Sequence, residues 1–168
     1  MPFPLSHSRR GFLRGRRAAA EPVRPPWARR AAFTDLCTRC SACVSACPDN
    51  LIVPGDGGFP VVDFRRGECS FCGACASACP QPLFDRAAVP WTVTVAVAPA
   101  CLSLQRVVCR SCGEVCPAGA IRFALAPGGA AEPRVEASAC TGCGACVAAC
   151  PVGAVSITPA EGGSHAHP

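Results

Sequence analysis

Sixteen cysteines in a chain of 168 residues constrain the fold more than any other feature, because they fall into four tight groups. The first is Cys37-x2-Cys40-x2-Cys43-x3-Cys47-Pro48 and the second is Cys69-x2-Cys72-x2-Cys75-x3-Cys79-Pro80. The fourth is Cys140-x2-Cys143-x2-Cys146-x3-Cys150-Pro151. Each is a complete C-x2-C-x2-C-x3-C-P run, in which three close thiolates wrap one [4Fe–4S] cube and the fourth ligates a partner cube. The third group is stretched: Cys101-x7-Cys109-x2-Cys112-x3-Cys116-Pro117. Cys101 still serves as a first ligand if Leu102 to Val108 loop out, and that loop is expected to change solvent access and hydrogen bonding at its site.

A lone C-x2-C pair usually marks zinc. Three full runs and a near-match point to iron–sulfur, with zinc or partial occupancy as the remaining alternatives. No histidine lies between residues 8 and 164, which removes Rieske and Cys2His2 ligation. His165 and His167 sit in a Gly/Ser-rich tail, where a floppy segment is expected rather than a metal site.

Pairing follows from repeat logic. Groups one and two, and groups three and four, are each separated by one hairpin pattern. Leu51-Ile52-Val53 and Pro60-Val61-Val62-Asp63 flank Gly55-Asp56-Gly57-Gly58. Ile121 to Leu125 and Arg134-Val135-Glu136 flank Pro127-Gly128-Gly129. Trp91 to Val97 reads as a strand opening the second half, with Ala154 to Thr158 as its closing partner. The expected ligand sets are therefore Cys37, Cys40, Cys43 and Cys79 for cluster I, and Cys69, Cys72, Cys75 and Cys47 for cluster II. Cluster III takes Cys101, Cys109, Cys112 and Cys150, and cluster IV takes Cys140, Cys143, Cys146 and Cys116. Four [4Fe–4S] clusters are the expected cofactors.

The fold class expected is α+β: two tandem bacterial 2[4Fe–4S] ferredoxin-like modules with short β-hairpins and short helices, preceded by a basic arm. The arm spans residues 1–32, the modules 33–90 and 91–159, and a disordered tail 160–168. Composition agrees, since aromatic residues make up 6% and Gly plus Pro number 34, too little bulk for an ordinary core without metal staples. Gly73-Ala74 and Gly144-Ala145 lie inside the motifs. They either let backbone N–H groups approach cluster sulfur or simply reflect a Gly/Ala-rich chain.

All sixteen basic residues are Arg, and eight of them fall in the first 30 residues beside one acid, Glu21. The formal charge of +5 counts thiols as neutral; four oxidised clusters would bring the chain to about −3. No nucleic-acid partner is expected from the pI. The first 30 residues contain no secretory apolar run, and no 18-residue apolar stretch spans a membrane. Ser8-Arg9-Arg10-Gly11-Phe12-Leu13-Arg14 resembles a twin-arginine export motif, but charged residues and Pro22 follow where an apolar segment belongs. A reducing cytoplasm is the expected location. The arm is read either as a solvated leader or as a docking segment, with Arg9 and Arg10 as charges and Phe12, Leu13 and Trp27 as apolar anchors.

The chain resembles a known family, the NapF ferredoxin-type proteins of periplasmic nitrate reductase systems. The likeness rests on Ser8-Arg9-Arg10-Gly11, Arg24-Pro25-Pro26-Trp27, Cys37-Thr38-Arg39-Cys40, Glu68-Cys69-Ser70-Phe71-Cys72, the stretched Ala100-Cys101 to Cys109-Arg110-x-Cys112, and Cys140-x-Gly142-Cys143-Gly144-Ala145-Cys146. The stretched group discriminates best, because generic polyferredoxins lack it. The resemblance implies a cytoplasmic protein that assists maturation of the molybdenum-containing catalytic subunit before export, at that subunit's own iron–sulfur cluster. A plain electron carrier, or a relay subunit fixed in a larger enzyme, is the alternative that the cysteines alone allow. No nucleophile, His base or nucleotide loop is present, so no substrate turnover is expected.

Overall fold

The computed structural model describes residues 21–126 and 131–159. It contains three two-stranded antiparallel sheets and five single-turn α-helices. In the first half, β1 (Ile52–Pro54) pairs with β2 (Pro60–Val62), Ile52 opposite Val62. The turn between them uses Gly57 at φ 65, a left-handed conformation that glycine adopts without a Cβ penalty. Proline ends the pair on both strands, which a two-stranded sheet tolerates because each strand is an edge.

In the second half, β3 (Val93–Val97) pairs with β6 (Val155–Pro159), and β4 (Ile121–Leu125) pairs with β5 (Ala131–Val135). The strand expected to open this half begins at Val93. Trp91 stands just before it and has another task. The expected Pro127-Gly128-Gly129 turn lies outside the described residues.

The helices are α1 (Phe33–Leu36), α2 (Ala42–Ser45), α3 (Ala74–Ser77), α4 (Ser111–Glu114) and α5 (Ala145–Ala148). Four residues cannot hold a helix unaided, so packing holds each of them. Buried apolar residues form three clusters. One centres on Cys43, Ile52 and Cys75, and one on Val95, Cys112, Ala120, Ile121, Cys140, Cys146 and Val155. The third joins Phe64, Trp91 and Val93, so it lies between the two halves.

Residues 23–32 do not form a separate arm. The Val62 amide donates to the Val23 carbonyl at 2.8 Å, and the Asp85 amide donates to the Trp27 carbonyl at 2.9 Å. Ala28 bridges Phe84 in antiparallel fashion. That bridge occupies, in the first half, the place that β3 and β6 occupy in the second. The expected boundary at residues 32 and 33 therefore has no counterpart in the packing. Trp27, expected to anchor a partner, is buried at 8% exposure within its own chain. Its ring meets Phe71 edge-on at 6.4 Å, with the Arg86 guanidinium 4.6 Å from its centroid. Arg9, Arg10, Phe12 and Leu13 lie outside the described residues, as do His165 and His167.

Candidate metal centres

Each of the four short helices α2 to α5 carries the third cysteine of one motif and buries it: Cys43, Cys75, Cys112 and Cys146. In motifs one, two and four the second cysteine is flanked on both sides by left-handed residues. These are Arg39 and Ser41, Phe71 and Gly73, and Gly142 and Gly144. Such reversals curl the chain into the backbone concavities that hold anions and many iron–sulfur clusters. Motif three departs, because Arg110, before α4, has φ −136.

The structure brings the sixteen cysteines together in four sets of four. Cys37, Cys40, Cys43 and Cys79 line one cavity. Cys47, Cys69, Cys72 and Cys75 line a second, joined by Trp27, Ile52 and Trp91. Cys101, Cys109, Cys112 and Cys150 line a third, with Leu102, Phe123 and Val152. Cys116, Cys140, Cys143 and Cys146 line the fourth. In every set the fourth cysteine of a motif crosses to the cavity of its partner motif, because the following proline carries the chain away from its own three.

The donor set suits a [4Fe–4S] cluster. All sixteen thiols are free of disulfides, and each cavity offers four. No three His, Cys, Asp or Glu side chains among the described residues converge closely enough for a single metal ion. The thiols stand around a cavity instead, as a cube of four irons requires and one tetrahedral zinc does not. Backbone amides point at several sulfurs: Phe71 to Cys69 Sγ at 3.4 Å, Ala120 to Cys116 Sγ at 3.3 Å and Ala154 to Cys150 Sγ at 3.2 Å. Such N–H···S contacts stabilise negative charge on the ligand set.

Burial makes that charge expensive in the metal-free chain. It pushes the Cys69 and Cys146 thiols up to about 12 and the Cys43 and Cys75 thiols up to about 11. Cys112 and Cys140 are raised by burial as well. Cys40 lies at the surface and is lowered, chiefly by the Ala42 amide and then by the Thr38 side chain.

The stretched loop is tightly folded. The Gln105 amide donates to the Cys101 carbonyl at 3.0 Å and the Val107 amide to the Leu102 carbonyl at 2.9 Å. The Ser103 hydroxyl, buried at 4% exposure, donates to the Ala131 carbonyl. The loop thus buries Cys101 while turning Val107 and Val108 outward.

Sequence reasoning missed what occupies the motif glycines. A Cβ on Gly73 would overlap the Arg86 guanidinium, and one on Gly144 would overlap the Phe64 ring. These positions also make room for side chains arriving from elsewhere in the chain. Among the described residues no helix is long and apolar enough to cross a membrane.

Comparison with known proteins agrees with this geometry. Residues 36–83 and residues 105–154 each match a family described as a 4Fe-4S dicluster domain, so the chain is an iron–sulfur protein with two dicluster domains in tandem. The second match begins after Cys101, the ligand that the inserted segment displaces. The chain is 52% identical over 124 residues to a protein of Haemophilus influenzae named ferredoxin-type protein NapF, covering 73% of this chain and 70% of that protein. It is 45% identical over 143 residues to the ferredoxin-type protein NapF of Escherichia coli K12, covering 83% of this chain and 87% of that protein.

Proposed function

This chain belongs to the NapF family of ferredoxin-type proteins, and from that premise we propose that it assists maturation of the catalytic subunit of a periplasmic nitrate reductase in the cytoplasm, before export. The observation that carries the reading is the family likeness over most of the chain. The role is one of binding and cluster handling, with no substrate turnover of its own.

In this reading the four cavities each hold a [4Fe–4S] cluster, with Cys37, Cys40, Cys43 and Cys79 in the first set and the other three sets as the structure groups them. A bound cluster supplies a one-electron site of tunable potential. The protein residues supply the thiolates, the N–H donors that offset their charge, and the apolar walls that limit water. The free state of all sixteen thiols suits a reducing compartment.

A tagged chain should capture the unexported catalytic subunit from cytoplasmic extract. A chain lacking residues 1–20 tests the docking role of the basic segment without disturbing the packed residues 23–32. If that truncated chain binds with full affinity, the segment has no docking role. If the intact chain binds no catalytic subunit at all, the maturation reading fails.

A second reading, electron carriage, is favoured by the exposure of Cys40 and Cys72, which puts the rims of two sites at the surface. It predicts reversible low-potential reduction and fast electron exchange with a soluble donor.

A further inference from the structure

The two halves meet where motif two lies against motif four. The Cys69 amide donates to the Cys143 carbonyl at 2.7 Å. Trp91 Nε1 donates to the Thr141 carbonyl at 3.2 Å. The Trp91 ring packs edge-on against Phe64 at 5.4 Å and against Phe71, between Cys69 and Cys72, at 5.9 Å. Motif four is shaped to receive these rings. A Cβ on Gly142 would lie 2.5 Å from Trp91 Nε1, and one on Gly144 would overlap Phe64.

Inside each half the paired sites adjoin through their third cysteines. Cys43 and Cys75 share one apolar cluster, and Cys112 and Cys146 share another. Among the described residues, the backbone hydrogen bonds of the cysteines in motifs one and three stay within their own half.

We propose that the Cys69–Cys143 contact, positioned by Trp91 and Phe64, makes the sites of motifs two and four the inner pair of a single four-site row, in the order motif one, two, four, three. The order in space thus differs from the order in sequence. The stretched motif three stands at one end of the row and motif one at the other. Trp91 and Phe64 act as positioning residues, since neither is a ligand. This inference rests on the reading that all four cavities carry [4Fe–4S] clusters.

Electron paramagnetic resonance of the fully reduced holoprotein tests the order, because neighbouring reduced clusters split one another's signals. Iron and sulfide analysis of the wild-type chain comes first. Iron well below four per site defeats the four-cluster reading itself, and the row with it.

Given full loading, Cys40→Ala combined with Cys109→Ala removes one ligand from each outer site. The two intact inner sites should still give a mutually split spectrum. Cys72→Ala combined with Cys143→Ala perturbs the inner sites, and the intact outer pair should give two unsplit signals. Unsplit inner signals, or split outer signals, overturn the row.

A variant that keeps all sixteen ligands covers the case in which these do not fold. Gly142→Ala pushes motif four away from Trp91, so the splitting should weaken while iron content holds. An unchanged spectrum at full iron content also overturns the proposal.

Discussion

The Arg86 guanidinium lies 4.6 Å from the centroid of the Trp27 ring and fills the space that a side chain on Gly73 would need. One residue before the first cysteine motif and one after the second therefore meet beside the cavity of Cys47, Cys69, Cys72 and Cys75, which Trp27 and Gly73 both line.

Trp27→Ala should destabilise the protein by about 3–5 kcal/mol, the usual cost of emptying a buried Trp site. Urea unfolding followed by circular dichroism measures the loss. A Trp27 that served only to anchor a partner would leave the midpoint unchanged. The salt bridges flanking it, Arg29–Asp85 and Arg30–Glu21, are exposed. Each contributes about 0–1 kcal/mol, so they cannot make up the difference.

Crossed ligation gives a second expectation. Cys79 belongs to motif two by sequence but lines the cavity of Cys37, Cys40 and Cys43. Cys79→Ala should destroy or convert that site and spare the one held by Cys69, Cys72 and Cys75. Cys47→Ala should do the reverse. Iron content and the spectra of the two variants check the assignment; identical damage in both would break it.

The stretched loop separates a buried from an exposed substitution. Ser103→Ala removes the hydroxyl that donates to the half-buried Ala131 carbonyl and should cost about 0.5–1.5 kcal/mol, the net worth of an ordinary hydrogen bond. The site of Cys101, Cys109, Cys112 and Cys150 should then lose iron to a chelator before the other three. Val108 is 90% exposed, so Val108→Ser should stay within about 0.5 kcal/mol of wild type. Chelator-challenge kinetics on both variants make the comparison.

Cluster loading should depend on pH with a definite sign. In the metal-free chain burial holds the Cys69 and Cys146 thiols up to about 12 and the Cys43 and Cys75 thiols up to about 11, so near neutrality they carry protons. Iron binds thiolates, and loading must expel those protons. Apparent affinity should therefore rise with pH from neutrality toward these raised values and fall as pH drops. In the folded metal-free chain, neutral buried thiols stabilise the fold below the ordinary thiol range, and that contribution is lost as pH rises through about 11 to 12. A pH-stat during reconstitution should record proton release. Loading that is indifferent to pH between 6.5 and 8.5 would contradict this account.

Much of the site was legible because ligand spacing is local. The C-x2-C-x2-C run sets three thiols on a single turn of chain, and the proline after the fourth redirects it. These constraints act within a dozen residues and need no knowledge of distant partners. The hairpins were legible for the same reason: β1, β2 and β4 lie where the apolar signals stand, while β5 begins at Ala131, three residues before the expected Arg134. Trp27 was misread because exposure is not a local property. A tryptophan among Arg and Pro looks like a surface anchor until Phe71 and Arg86 arrive from more than forty residues away. The space that Gly144 leaves was not legible either, since nothing near it in the chain announces the Phe64 ring.

By itself, then, the sequence determined the number and grouping of the cysteines, the break that each motif's proline imposes, and the two-fold repeat. Each of these follows from short-range spacing that any compact conformation must respect. Tertiary structure alone decided that residues 23–32 close the first half, that the motif glycines yield space to Arg86 and Phe64, and that Cys69 meets Cys143. These depend on side chains far apart in the chain competing for one volume. That competition is settled by packing, and no local pattern carries it.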